Sequence, residues 1–302
     1  MPRDFLQYDV FTHEPLTGNQ LAVFLDGRGL DAPRMQKLAR EMAFSETTFI
    51  LPAETAGTDV RMRIFTPGTE LPMAGHPTIG STFALAETGV IESGAATFVF
   101  GLGVGPTPVA LEWSGDRLRF AWMTQLNPTF GRIVTNTQAV ASALGVHHED
   151  IADELPIQEV SCGNPFLLVP MTSRDAVDRA VSEAGPLRRM GEVTGVELPV
   201  YLFTTGAGSP EATVYSRMFA PHFDVSIPED PATGSAAGPL GGYLVRYGLT
   251  SGEAAQHIVD VQGEAMGRPS RIHIRITGDR DAIAKVEVGG EAVLVARCSL
   301  VI

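Results

Sequence analysis

Apolar residues recur at two spacings along this chain, and the switch between them marks out its elements. Met35, Leu38, Ala39 and Met42 stand at i, i+3, i+4 and i+7, the stripe of a helix with one buried face. That spacing predicts a helix over 32–42, with Asp31 as N-cap and Pro33 in the first turn. Short apolar runs predict strands over 20–25, 46–51 and 61–65. After His76-Pro77, the residues Ile79, Phe83, Ala84, Leu85 and Ala86 leave no polar face, so a second helix, ending near 87, is expected to be buried all round. Strands near 96–100, 109–113 and 118–121 follow. The same order then returns, with another all-round apolar helix over about 233–246.

The return is visible residue by residue, which marks an internal repeat. Arg63-Ile64-Phe65-Thr66-Pro67 matches Arg217-Met218-Phe219-Ala220-Pro221, 154 residues on, and the same offset sets His76-Pro77 on Asp230-Pro231. Thr17-Gly18-Asn19-Gln20 matches Cys162-Gly163-Asn164-Pro165 at an offset of 145. Two related halves are therefore expected, 1–125 and 126–302, broken near Pro128, with the final strand (about 290–302) a candidate to pack on the first half. Strands surrounding one buried helix, twice, is an α+β architecture.

Composition narrows the function. A formal net charge of -13, with no basic run, argues against nucleic acid and anionic membranes as partners, because phosphates are neutralised by Lys and Arg. No apolar run reaches the roughly 18 residues of a membrane span. Two cysteines, Cys162 and Cys298, stand outside any metal-binding spacing, as in a reducing compartment; a soluble, cytoplasmic protein is expected. Gly-rich Gly101–Gly105 lacks G-x-G-x-x-G, and Ser81 and Ser235 lack G-x-S-x-G. His147-His148-Glu149-Asp150 reads as a polar helix start, since adjacent side chains diverge, and no metal is expected.

The starts of the two buried helices carry the chemistry. A helix N-terminus offers unpaired N–H groups and positive potential, a site for a carboxylate. Pro77 and Pro231 suit a first turn, and Gly80, Gly234 and Gly238 leave room for a ligand. With the halves related by a pseudo-twofold axis, His76 and Asp230 would face each other in one cleft. Glu46, in Phe44-Ser45-Glu46-Thr47-Thr48-Phe49-Ile50, shares a strand face with Phe44, Thr48 and Ile50 by alternation. A carboxyl in such company suits proton transfer. Glu197 occupies a similar place in the second half.

Together, Thr17-Gly18-Asn19-Gln20, Phe44-Ser45-Glu46-Thr47, Ala74-Gly75-His76-Pro77-Thr78-Ile79-Gly80, Glu229-Asp230-Pro231-Ala232-Thr233-Gly234-Ser235-Ala236 and Gly267-Arg268-Pro269-Ser270 resemble the PhzF family of phenazine biosynthesis-like isomerases. The resemblance implies the diaminopimelate epimerase-like fold: two pseudosymmetric halves, each a mostly antiparallel sheet around a central helix. It implies isomerisation without metal or organic cofactor of a substrate like trans-2,3-dihydro-3-hydroxyanthranilate, a carboxylated cyclic diene, in a homodimer. Carried over by motif, Glu46 moves the proton, His76 and Asp230 bind and polarise the substrate, and Ser235 with the backbone at Gly75 and Gly234 holds its carboxylate. Paired-thiol racemases of this fold carry a cysteine at each helix start; here those places read Ala74 and Pro231, which favours one base acting on one face. The alternatives are an epimerase or lyase of the same fold and a non-catalytic ligand-binding relative. Tyr8, Met73, Met218 and Phe223 are candidate pocket walls.

Overall fold

In the computed structural model, which describes residues 2–220 and 227–301, the chain divides into two units: Met1–Thr124 with Val288–Ile302, and Gln125–Glu287. The first unit runs through β1 (Pro2–Val10), β2 (Asn19–Phe24), α1 (Ala32–Met42), β3 (Glu46–Pro52), β4 (Val60–Phe65), β5 (Glu70–Leu71), α2 (Gly75–Glu87), β6 (Thr97–Leu102), β7 (Gly105–Ser114) and β8 (Arg117–Gln125). The second holds β9 (Thr129–Val134), α3 (Thr137–Leu144), β10 (Ile157–Ser161), β11 (Pro165–Pro170), α4 (Arg174–Arg179), α5 (Ala184–Thr194), β12 (Val200–Thr204), β13 (Val214–Ala220), β14 (Ile227–Asp230), α6 (Gly234–Arg246), β15 (Ile258–Gln262) and β16 (Ser270–Gly278). The boundary falls within β17 (Ile283–Gly290), after Glu287, and β18 (Ala292–Val301) belongs to the first unit.

In the first unit β18, β1, β2, β3, β4, β6, β7 and β8 pair in that order, antiparallel except for β2–β3 and β4–β6. In the second, β9, β10, β11, β12, β13, β15 and β16 do the same, with β11–β12 and β13–β15 parallel. Parallel neighbours need a crossover, and α1, α2, α6 and the α4–α5 pair supply it. The short strands β5 and β14 hang on β4 and β13. From β18–β1 to β6–β7 in the first unit and from β9–β10 to β15–β16 in the second, the pairing plan is duplicated.

Each sheet holds one buried helix. Every residue of α2 from Gly75 to Leu85, and of α6 from Gly234 to Val245, is buried. α2 packs on β1, β2, β3 and β18; α6 packs on β10, β11 and β16. Close approach depends on glycine: a Cβ on Gly80 would come within 2.6 Å of Leu21 and 2.7 Å of Val10. On the other face of the first sheet, Phe24 stacks between Phe5 and Phe49 at 5.1 and 4.9 Å, against Met35, Leu38 and Ala39 of α1. Asp31 caps α1 by accepting from the Arg34 N–H.

The repeat register differs from the gapless one. Phe65 and Phe219 hold equivalent places in β4 and β13, opposite Glu70 and Glu229 respectively. The helices then begin at Gly75 and Gly234, 159 residues apart. Five residues are therefore gained between Phe219 and Glu229, and Glu70-Leu71-Pro72-Met73-Ala74-Gly75 superposes in sequence on Glu229-Asp230-Pro231-Ala232-Thr233-Gly234. His76 corresponds to Ser235, not Asp230. Pro231 lies ahead of α6 rather than in its first turn. Ala74, the N-cap of α2, corresponds to Thr233, the N-cap of α6, and not to Pro231.

Candidate active site

The Arg–Glu pair common to both repeats ties β5 and β14 down just ahead of the helix starts. Arg63 donates to Glu70 through Nε and an Nη at 2.6 Å each, and Arg217 to Glu229 at 2.8 Å each. Such two-pronged pairing fixes geometry as well as charge. The guanidinium groups lie over Phe65 and Phe219 at 5.1 and 4.7 Å from the ring centres.

In the first unit the held turn delivers the start of α2. Its N-cap, Ala74, has no side-chain acceptor, and Pro77 has no N–H, so the amides of Gly75 and His76 point from the helix end uncapped. β3 runs along this helix. Thr48 Oγ1 lies 2.9 Å from Ser81 Oγ, and Glu46 Oε2 lies 3.3 Å from His76 Nε2. Two strand residues span about 6.7 Å and five helical residues about 7.5 Å, so one register satisfies both contacts. The Glu46 side chain is 12% exposed and that of His76 3%.

Behind His76 stands Asn19, at the start of β2, with Nδ2 3.2 Å from the imidazole Nδ1. Ser45 Oγ donates to Asn19 Oδ1 at 2.7 Å and orients the amide. The 3.3 Å approach of Glu46 Oε2 to His76 Nε2 is a close contact that does not meet hydrogen-bond geometry. Burial pushes the His76 pKa down to about 3, against the opposing effect of a backbone hydrogen bond with Gln20. The Glu46 contact is thus carboxyl to neutral imidazole, not an ion pair.

In the second unit α6 begins without a side-chain cap on Thr233. Asp230 is buried, and its Oδ2 accepts from Thr233 Oγ1 at 2.6 Å. Gln262 of β15 holds the turn: its Nε2 donates to the Asp230 carbonyl at 2.7 Å and to Thr233 Oγ1 at 3.0 Å, while its Oε1 accepts from the Thr233 N–H at 2.9 Å. Ser235 is the second residue of the helix and is buried.

Glu46, His76 and Gly75 therefore form one cluster in the first unit; Asp230, Gly234 and Ser235 form another in the second. Other sequence expectations fall away. Phe44 precedes β3 and packs with the α1 cluster, not on the face of Glu46. Glu197 is exposed in the turn before β12. With Phe65 opposite Thr47 and Phe219 opposite Val200, the counterpart of Glu46 is Pro199. Space beside Gly80 and Gly238 is filled by Val10, Leu21 and Gln125, so these glycines serve packing. Tyr8 lines a surface cavity with Glu87 and Arg117, at the C-terminal end of α2, about 16 Å from His76 along the helix. Met73 and Met218 are buried, and Phe223 lies outside the described residues. His147 caps the turn His148–Asp150, a structural role, and no group of three or more His, Cys, Asp or Glu among the described residues is placed to hold a metal. Burial pushes the Cys162 thiol up to about 12. No helix among the described residues is long and apolar enough to cross a membrane.

Sequence reasoning missed Asn19, Ser45, Thr233 and Gln262 as parts of these clusters. The matched Gly18-Asn19 and Gly163-Asn164 were a usable signal for the first.

Comparison with known proteins shows the family. The family model described as "Phenazine biosynthesis-like protein" matches residues 8–298. An uncharacterized isomerase of Mesorhizobium japonicum is 37% identical, with 97% of each chain covered. The trans-2,3-dihydro-3-hydroxyanthranilate isomerase of Pseudomonas aeruginosa is 36% identical, with 95% of each chain covered. A crystal structure of a Bacillus anthracis phenazine biosynthesis protein of the PhzF family superposes with a TM-score of 0.88 over 100% of both chains, at 26% identity.

Proposed function

The chain belongs to the PhzC-PhzF family, phenazine biosynthesis-like isomerases, and from that premise we propose that it moves a single proton within a small, cyclic, carboxylated substrate, without a cofactor. Trans-2,3-dihydro-3-hydroxyanthranilate, the compound in the name of the Pseudomonas relative, is the first candidate. Glu46 is the acid and base. It takes a proton from one ring carbon, holds it as the carboxylic acid, and returns it to another carbon of the same face; no atom enters or leaves.

The observation that carries this reading is the Glu46 Oε2 to His76 Nε2 contact of 3.3 Å at the uncapped start of α2. A neutral His76 beside the carboxyl does not compete for the proton, so proton transfer stays with Glu46. The amides of Gly75 and His76 suit the substrate carboxylate. Asp230 and Ser235, with the backbone at Gly234, act on the same substrate in this proposal, Asp230 on its amino group. A two-thiol mechanism has no thiols to use, since the relevant places hold Ala74 and Thr233.

Incubation with trans-2,3-dihydro-3-hydroxyanthranilate in D₂O tests the proposal. Turnover by the wild type, slowed by on the order of 10³ in Glu46→Gln, is the expected result. Equal turnover by the folded variant would overturn the assignment of Glu46, and no turnover by the wild type would overturn the assignment of this substrate.

A further inference from the structure

Among the described residues of the second unit, Asp260 is the carboxyl that the proposed chemistry leaves unused although it is wholly buried. It sits in β15, in Ile258-Val259-Asp260-Val261-Gln262, facing inward with Gln262. Its Oδ2 accepts from Tyr201 Oη at 2.5 Å and its Oδ1 from Ser216 Oγ at 2.8 Å. Tyr201 Oη is also 3.1 Å from Gln262 Oε1 and 2.9 Å from Ser216 Oγ, whose single proton goes either there or to Asp260 Oδ1. Gln262 in turn makes the three bonds that hold Asp230 and Thr233. Tyr201, Ser216, Asp260 and Gln262 are all fully buried, so the chain is shut off from water.

Proton counting gives this chain two states. Tyr201 has a single hydroxyl proton and two acceptors, Asp260 and Gln262. With Asp260 ionised, that proton is held by the carboxylate, and Gln262 Oε1 receives only the Thr233 N–H. When Asp260 takes up one proton from water, it donates to the Tyr201 oxygen, and the tyrosine proton turns to Gln262 Oε1. The amide is then anchored from behind while its Nε2 holds Asp230 and Thr233. The titratable groups on Asp260's side are Tyr201, from β12, and beyond it Asp230 at the end of β14, both of which interact with it or its partner electrostatically; on β16 the opposed residue is Ile272, which is apolar.

We propose that Asp260, Tyr201 and Gln262 are positioning residues that couple the protonation of a core carboxyl to the geometry of the Asp230–Thr233 helix start. The consequence for turnover rests on the reading that Asp230 meets the substrate; the coupling itself does not. Burial, opposed by the Tyr201 and Ser216 hydrogen bonds, pushes Asp260 up to about 7, which puts the switch within the working range of pH.

Two measurements on the full chain test this. In ligand-free protein, the Thr233 amide resonance is followed from pH 5 to pH 9. A shift with a midpoint near neutrality, lost in Asp260→Asn and in Tyr201→Phe, is expected; no shift, or the same shift in folded Asp260→Asn, would overturn the coupling whatever the enzyme's substrate. In the dihydrohydroxyanthranilate assay, Tyr201→Phe and Gln262→Glu should raise KM several-fold with a smaller change in kcat, and Asp260→Asn should remove a neutral inflection from the pH profile of kcat/KM. Unchanged KM and pH profile in folded variants would confine the network to a structural role.

Discussion

The two halves of this protein share a scaffold and differ in what they hang on it. Both carry the same strand pairing, the same Arg–Glu clamp and an uncapped buried helix. In the first half the helix start is furnished with His76, Asn19 and Glu46; in the second the corresponding places hold Ser235, Asn164 and Pro199, and a carboxyl enters at Asp230, where the first half has Leu71. The strained backbone is one-sided too. Phe11, Leu16 and Ala43, the non-glycine residues with positive φ among those described, all lie in the first half. Leu16 and Ala43 each stand three residues ahead of a cluster member, Asn19 and Glu46. Duplication preserved the frame that presents a helix end, and divergence gave one copy Glu46 and His76 and the other Asp230 and Ser235.

The largest effect is expected from moving the carboxyl between the copies. Glu46→Gln should lower turnover by about 10²–10⁴, and adding Pro199→Glu should not restore it; restored turnover would mean that the halves are chemically interchangeable. Next come the clamps. Arg217 donates also to the carbonyls of Val177, Asp178 and Ala180, at the end of α4, and its partner Glu229 is 16% exposed against 40% for Glu70. Denaturant unfolding should therefore show a loss of about 3–5 kcal/mol for Arg217→Met and about 1 kcal/mol for Arg63→Met.

The halves should also answer pH in opposite senses. His76 is held at about 3 when folded against 6.5 unfolded. Between those values the unfolded chain binds more protons, so its share of stability is lost as pH falls from 6.5 towards 3. Asp260 is held at about 7 against 3.8. There the folded chain binds more, so its share is full below 3.8 and lost as pH rises through 7. Each contributes a slope of at most about 1.4 kcal/mol per pH unit, and melting curves of His76→Gln and Asp260→Asn should flatten opposite flanks of the profile. The smallest effect is at Ala43, a left-handed C-cap with φ of 55°: Ala43→Gly should raise stability by about 1 kcal/mol, visible as a higher Tm.

Local signals were legible in the sequence. Asp31, Pro33 and the Met35–Met42 stripe gave α1 to the residue because cap, proline and periodicity are all short-range. The all-round apolar helices gave themselves away by lacking a wet face. The repeat was legible but its register was not, because a five-residue gain separates Phe219 from Glu229, and only the match of Glu70-x-Pro72 with Glu229-x-Pro231 reveals it. Contacts between distant segments, such as Asn19 with His76 or Tyr201 with Asp260, leave little local trace. The clue that pointed to Glu46, an acid on an apolar strand, was equally present at Asp260.

The chain order of β9 and β18 has a consequence for biosynthesis. β9 leaves the first unit's last strand to flank β10, within its own contiguous unit. β18, the partner of β1, is translated only after the whole of the second unit. While the ribosome completes that stretch, the first half waits with the backbone amides and carbonyls of β1 exposed along one edge, open to pairing with other nascent chains. The second half has all its strands before β18 emerges, whereas the first must keep that edge for its own strand until the end of the chain is made.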